Sequence, residues 1–186
     1  MFRTKSLVTL LMMSLIGLFA SGAIITERIN LLKNPGESLS CDLNPLFSCG
    51  TVMSSPQANT FGFPNPMLGL VFFGMLLAFV GLAFVKTEFP PITAKLGLTA
   101  ASFGAGFSIY LFSQTTYVIG AICLYCVAVW FASFITFSEF LHINLSESLR
   151  NTFPFKPTWA LGVVIFFTVI ALIYFRYQTA IQTYFF

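Results

Sequence analysis

Cys123 and Cys126 stand three residues apart at the start of an apolar stretch, and Cys41 and Cys49 stand eight apart in a loop-like segment. Positions i and i+3 share a helix face. A helix start also puts the first sulfur near the positive end of the dipole, the setting in which thiols become reactive. Two cysteine pairs that meet on one side of a membrane can pass a disulfide from one to the other, because exchange needs only an attacking thiolate and access. Blander roles stand beside this one. Cys41 and Cys49 could staple a loop, and Cys123 and Cys126 could pack as small hydrophobes. A shared metal site is not expected, since the spacing lacks the two close pairs of a zinc ribbon.

The elements that must position these sulfurs are membrane spans. The chain has 186 residues, 57% hydrophobic and 8% charged, against roughly 25% charged in soluble domains. A net charge of +3 with dispersed Lys and Arg gives no footprint for nucleic acid. A helix needs about 20 apolar residues to cross the hydrocarbon core. Five stretches qualify, at residues 7–25, 66–85, 95–112, 117–141 and 159–175. The expected fold is therefore an all-α membrane protein in a single domain spanning 1–186. It is a four-helix transmembrane bundle with a fifth transmembrane helix, capped at its mouth by an outer loop over residues 26–65. Turn signals such as Asn44-Pro45 and Ser54-Ser55-Pro56 punctuate that loop. Its apolar residues predict a short helix over 45–53.

With the N-terminus in the cytoplasm, Arg3, Lys5, Lys86, Lys95, Arg150 and Lys156 fall inside, and Arg28, Lys33 and Arg176 outside. That bias follows the positive-inside rule. It puts both cysteine pairs outside, where disulfides form and persist. The first span also carries signal-peptide features, a basic start and the small-residue run Ala20-Ser21-Gly22.

Other polar residues have a structural and a functional reading. Asn65 before Pro66 suits a helix N-cap. Glu139 and His142, three apart near the inner end of the fourth span, suit interfacial anchors or a proton path. Gly97, Ala101 and Ala105 make a close-packing stripe. Trp159 and Tyr174 suit aromatic belts.

The chain resembles the vitamin K epoxide reductase family, in particular its bacterial homologues. The residues that carry the resemblance are Cys41-Asp42, Ser48-Cys49, Val52, Ser54-Ser55, Phe61-Gly62, Asn65-Pro66-Met67-Leu68-Gly69 and Cys123-Leu124-Tyr125-Cys126. The DsbB family of quinone-linked oxidases has the reverse cysteine order. The resemblance implies a relay in which Cys41 exchanges with a thioredoxin-like (DsbA-like) periplasmic protein and Cys49 exchanges with Cys123. Cys126 then faces a quinone of the menaquinone, ubiquinone or vitamin K type. It also implies that Asn65 hydrogen-bonds a quinone carbonyl, and that Asp42 and Ser55 position the loop. Where the vertebrate pattern has a tyrosine as second donor to the quinone, this chain has Trp130, whose indole N–H can also donate.

The implied function is a thiol:quinone oxidoreductase of the bacterial inner membrane that faces the periplasm and supports disulfide formation in secreted proteins. Many bacterial homologues carry a fused thioredoxin-like domain. No such domain follows the fifth span here, so the expected partner is a separate protein. Two alternatives remain at this stage: a vitamin K quinone or epoxide reductase of an endoplasmic reticulum membrane, and a non-enzymatic membrane scaffold with a stapled loop.

Overall fold

The computed structural model describes residues 4–34, 39–85, 89–145 and 158–185, with side chains to 178. Arg3, Pro35, Gly36, Lys86, Arg150 and Lys156, which figure in the turn and orientation arguments, lie outside the described residues. Among the described residues six α-helices follow one another: α1 (Thr4–Lys33), α2 (Cys49–Ser54), α3 (Pro66–Val85), α4 (Pro91–Gln114), α5 (Leu124–Asn144) and α6 (Ala160–Phe185). A 3₁₀ turn, Pro56–Asn59, follows α2, and a π turn, Thr115–Ile119, prolongs α4. Every helix except α2 is long and apolar enough to cross a membrane. The molecule is a multi-pass all-α membrane bundle, as the composition predicts, and no strand occurs among the described residues.

Helix α1 packs on α3 and α5, α4 packs on α5, and α6 packs mainly on α5. Leu10, Met13, Phe73, Leu76, Val80, Ala101 and Ile135 form the central core. Small residues set the closest approaches. A Cβ on Gly97 would run into the Phe140 ring, and Ala101 behind it is fully buried, so the small-residue stripe of α4 faces α5. A Cβ on Gly162 would stand 2.5 Å from the Phe134 carbonyl oxygen, so α6 touches the α5 backbone itself.

Several boundaries differ from the sequence reading, each for a local reason. Helix α1 runs on through 26–33, because a helix does not stop where apolarity stops, and Thr26 Oγ1 bonds back to the Gly22 carbonyl. The small-residue run Ala20-Ser21-Gly22 lies inside this helix, with Ala20 and Ser21 buried. Residues 45–48 are not helical. Asn44 Oδ1 accepts the Leu46 and Phe47 N–H groups, and α2 starts only at Cys49, behind the Ser48 N-cap.

The fourth span starts at Leu124 rather than 117. Residues 115–119 continue α4, and Gly120 at φ 80° ends that helix in the left-handed region that favours glycine. Glu139 and His142 are not interfacial anchors, being 0% and 4% exposed. Thr158 Oγ1 donates to Glu139 Oε1 at 2.6 Å and Ser138 Oγ donates to the Thr158 carbonyl at 2.6 Å. These two bonds pin the entry of α6 to α5.

Candidate active site

Four elements converge at the end of the bundle where α1 and α4 finish and α3 and α5 begin, and the segment 39–65 covers them. The covering segment docks through its backbone. Phe47 and Ile122 form a parallel bridge in which Ser48 N–H donates to the Ile122 carbonyl (3.1 Å) and Ile122 N–H to the Leu46 carbonyl (2.8 Å). Each bridge residue lies just ahead of a cysteine, so one register brings Cys49 and Cys123 to the same place.

All four cysteines belong to one packed cluster with Ile24, Leu39, Val52, Met53 and Ala121. Cys41 and Cys49 are joined by a disulfide, while Cys123 and Cys126 are free thiols. Cys123 is the N-cap of α5, and its Sγ accepts the Cys126 N–H at 3.3 Å. The sulfur thus occupies the place of a capping oxygen among the unpaired amides of the first turn. Cys123 is 0% exposed, and Cys126, one turn on, is half-buried.

Asp42 ties the two loop cysteines together. Its Oδ1 accepts the Gly50 N–H (3.0 Å) and its Oδ2 the Leu39 N–H (3.2 Å). Burial works against its charge. The bonds from the Gly50 and Leu39 amides, with help from Ser48 and Cys49, outweigh that and hold the carboxyl below its ordinary range. A second tie runs through Ser40, whose Oγ donates to Glu27 on α1 and lies 3.4 Å from the Tyr125 hydroxyl, between Cys123 and Cys126 in sequence.

Beneath the cap is a cavity of about 290 Å³ between α1, α3, α4 and α5, near the lower end of the ~300–1,000 Å³ of small-molecule sites. Its walls are mostly apolar, with Phe72, Phe103 and Phe107 on one side and Cys126, Val129 and Trp130 on the other. Asn65 and Ser55 line it at the cap. Asn65 does not act as a simple helix cap: its Oδ1 accepts the Thr60 N–H (2.9 Å) and its Nδ2 donates to the Gln57 carbonyl (2.7 Å). Those bonds hold the loop and use one of the two Nδ2 hydrogens. Ser55 Oγ donates to the Val52 carbonyl (2.7 Å) and closes α2. Trp130, 1% exposed, packs edge-on against Phe112 at 6.0 Å.

Arg28, in the sequence only a marker of sidedness, belongs to the site. Arg28 lines the cavity one turn beyond Ile24 on α1. Helix α6 has a place at the site that its sequence does not announce. That helix packs Val169, Ile173 and Tyr177 into the cluster of Leu46, Phe47, Ile122 and Trp130, behind the bridge. Tyr177 donates its hydroxyl to the Thr116 carbonyl in the π turn (2.7 Å). No group of three metal-binding side chains occurs among the described residues.

A sequence profile of the vitamin K epoxide reductase family matches residues 8–141, a range that covers α1 to α5 and all four cysteines. The chain belongs to the vitamin K epoxide reductase family. It is also similar to the thiol-disulfide oxidoreductase LTO1 of Arabidopsis thaliana, at 30% identity over 118 residues, which cover 60% of this chain and 31% of the relative. The chain thus spans about a third of the length of that relative. Helix α6 lies beyond the family match.

Proposed function

We propose that the protein is a membrane thiol:quinone oxidoreductase that takes electrons from a thioredoxin-like dithiol protein and delivers them to a membrane quinone. Disulfides for secreted proteins are the product. The observation that carries this reading is the gathering of both cysteine pairs into one cluster, with Cys126 alone of the four lining an apolar cavity within the bundle. The family membership and the similarity to a thiol-disulfide oxidoreductase support it.

The chain's own residues supply each transfer. A partner dithiol reduces the Cys41–Cys49 disulfide through a mixed disulfide at Cys41. Cys41 is 4% exposed, so this attack requires the covering segment to lift. The Cys49 thiolate then attacks Cys123 of a Cys123–Cys126 disulfide and releases Cys126 as thiolate. Cys41 attacks Cys49, which re-forms the loop disulfide and leaves Cys123 and Cys126 reduced. The observed pattern, a loop disulfide beside two free thiols, matches that stage. A bound quinone supplies the two-electron, two-proton acceptor. Asn65 would hold a carbonyl of its ring, Trp130 would wall it, and the apolar lining would exclude water. Asp42 and Ser55 act as positioning residues for the loop.

The reading places the protein in a bacterial inner membrane, with the cap facing the periplasm. The test is Cys126→Ser in purified protein supplied with a quinone and a reduced thioredoxin-like donor. Quinone-dependent thiol oxidation disappears while the helical content is retained. Unchanged oxidation would refute the assignment.

A further inference from the structure

Among the described residues of the cavity wall, Arg28 carries the only formal charge. Among the described residues that line it there is no Asp, Glu, Lys or His. The Nη1 of Arg28 is buried and has no hydrogen-bond partner. Two turns further in on the same face, at the i−7 position, the Ser21 hydroxyl is also buried without a partner, on a residue 0% exposed, and it too lines the cavity. Ser21 rests over Gly69 of α3, where any Cβ would displace it. Helix α1 therefore presents one face, Ser21, Ile24 and Arg28, with two unused polar groups directed at an apolar cavity. Buried polar groups in folded proteins are nearly always paired, yet Ser21 Oγ and the inward nitrogen of the half-buried Arg28 are not. Two on one face point to a ligand that completes them.

A neutral ligand leaves the cation half-served, whereas one that gains negative charge in place does not. We propose that Arg28 stabilises the negative charge that builds on a quinone oxygen when electrons arrive from Cys126, and that Ser21 donates alongside it. The proposal rests on the thiol:quinone reading above. In the balanced step, the Cys123 and Cys126 thiols lose two protons and two electrons and form a disulfide bond. The quinone gains both pairs and becomes quinol. Arg28 exchanges no proton, because its guanidinium stays protonated throughout. Its contribution is greater in the charged transition state than in the neutral ground state, and such a contribution speeds the chemical step rather than tightening substrate binding.

The test is calorimetric titration of the full chain in detergent with two probes, hydroxynaphthoquinone, an anion at neutral pH, and neutral methylnaphthoquinone. Arg28→Gln weakens the anionic probe by roughly 10- to 100-fold, the loss of one charge-assisted hydrogen bond, and leaves the neutral probe within about twofold. Arg28→Lys, which keeps the charge, recovers most of the anionic affinity. Equal weakening of both probes in Arg28→Gln means a packing role and overturns the proposal, and so does an unchanged affinity for the anion. If the unsubstituted protein binds neither probe, the quinone reading itself fails, an outcome separate from the other two.

Discussion

Phe47 of the cap and Ile122 of the bundle are joined as a single parallel β-bridge, with hydrogen bonds of 2.8 and 3.1 Å on the two sides of Ile122. A backbone bridge fixes register, since a slip by one residue turns every side chain over. Cys49 lies two residues after Phe47, and Cys123 one residue after Ile122. The proposed disulfide relay thus rests on two main-chain bonds.

Ile122→Pro removes the N–H that Leu46 accepts and leaves a buried carbonyl unpaired, at about 1–3 kcal/mol. The expected result is a sharp fall in the Cys49–Cys123 mixed disulfide that accumulates in a Cys126→Ser background, read by non-reducing mass spectrometry. Helix content measured by circular dichroism stays unchanged. A mixed disulfide at full yield would show that the bridge does not govern the encounter.

Asp42 makes the cap pH-dependent in one direction. Its carboxyl is held below the ordinary range, so the stability it lends is fully present above the unfolded value of about 3.9. That stability is lost as pH falls through the lowered value. Proteolytic nicking of the 39–48 segment should therefore be flat from neutral pH down to about 4 and rise below it. Asp42→Asn raises nicking at neutral pH and removes the acid limb. A variant with the same acid limb would exclude Asp42 as its origin.

Gly162→Ala drives a methyl group into the α5 backbone, 2.5 Å from the Phe134 carbonyl. No rotamer relieves a backbone clash, and overpacking of this kind costs about 1–3 kcal/mol. A lower melting temperature and earlier protease cleavage within α6 are the expected readouts. Activity measured at low temperature should fall with the docking of α6, since that helix backs both Trp130 and the bridge.

Tyr177→Phe tests the same support more gently. It removes one hydrogen bond to the Thr116 carbonyl, at about 0.5–1.5 kcal/mol. The melting temperature should drop by a few degrees at most, with mixed-disulfide yield intermediate between the unsubstituted protein and Ile122→Pro. A yield identical to the unsubstituted protein would detach α6 from the site.

Much of this was legible in the chain, and the rest was hidden for physical reasons. The spans stood out because lipid demands uninterrupted apolarity, and the cysteine pairs because a membrane protein has little structural use for them. The start of α5 was not legible: 117–141 reads as one apolar run, and only the Gly120 turn divides it. The extension of α1 through Glu27 and Arg28 was hidden for the opposite reason. Polar residues end a hydrophobic stretch without ending a helix. Arg28 looked like a topology marker because a sequence does not reveal which face of a helix meets a cavity. The burial of Glu139 depends on Thr158, 19 residues away across a connection, and no local pattern announces it.

The π turn at 115–119 contains one residue more per turn than its host helix requires. Wall helix and cap are therefore in phase by virtue of a single inserted amino acid. Deleting one residue there would regularise α4, swing the following segment by about 100° around the helix axis, and aim Ile122 away from Leu46. A one-codon deletion that removes no cysteine would thus pull Cys123 out of register with Cys49, whereas most substitutions at the same positions would leave the two aligned.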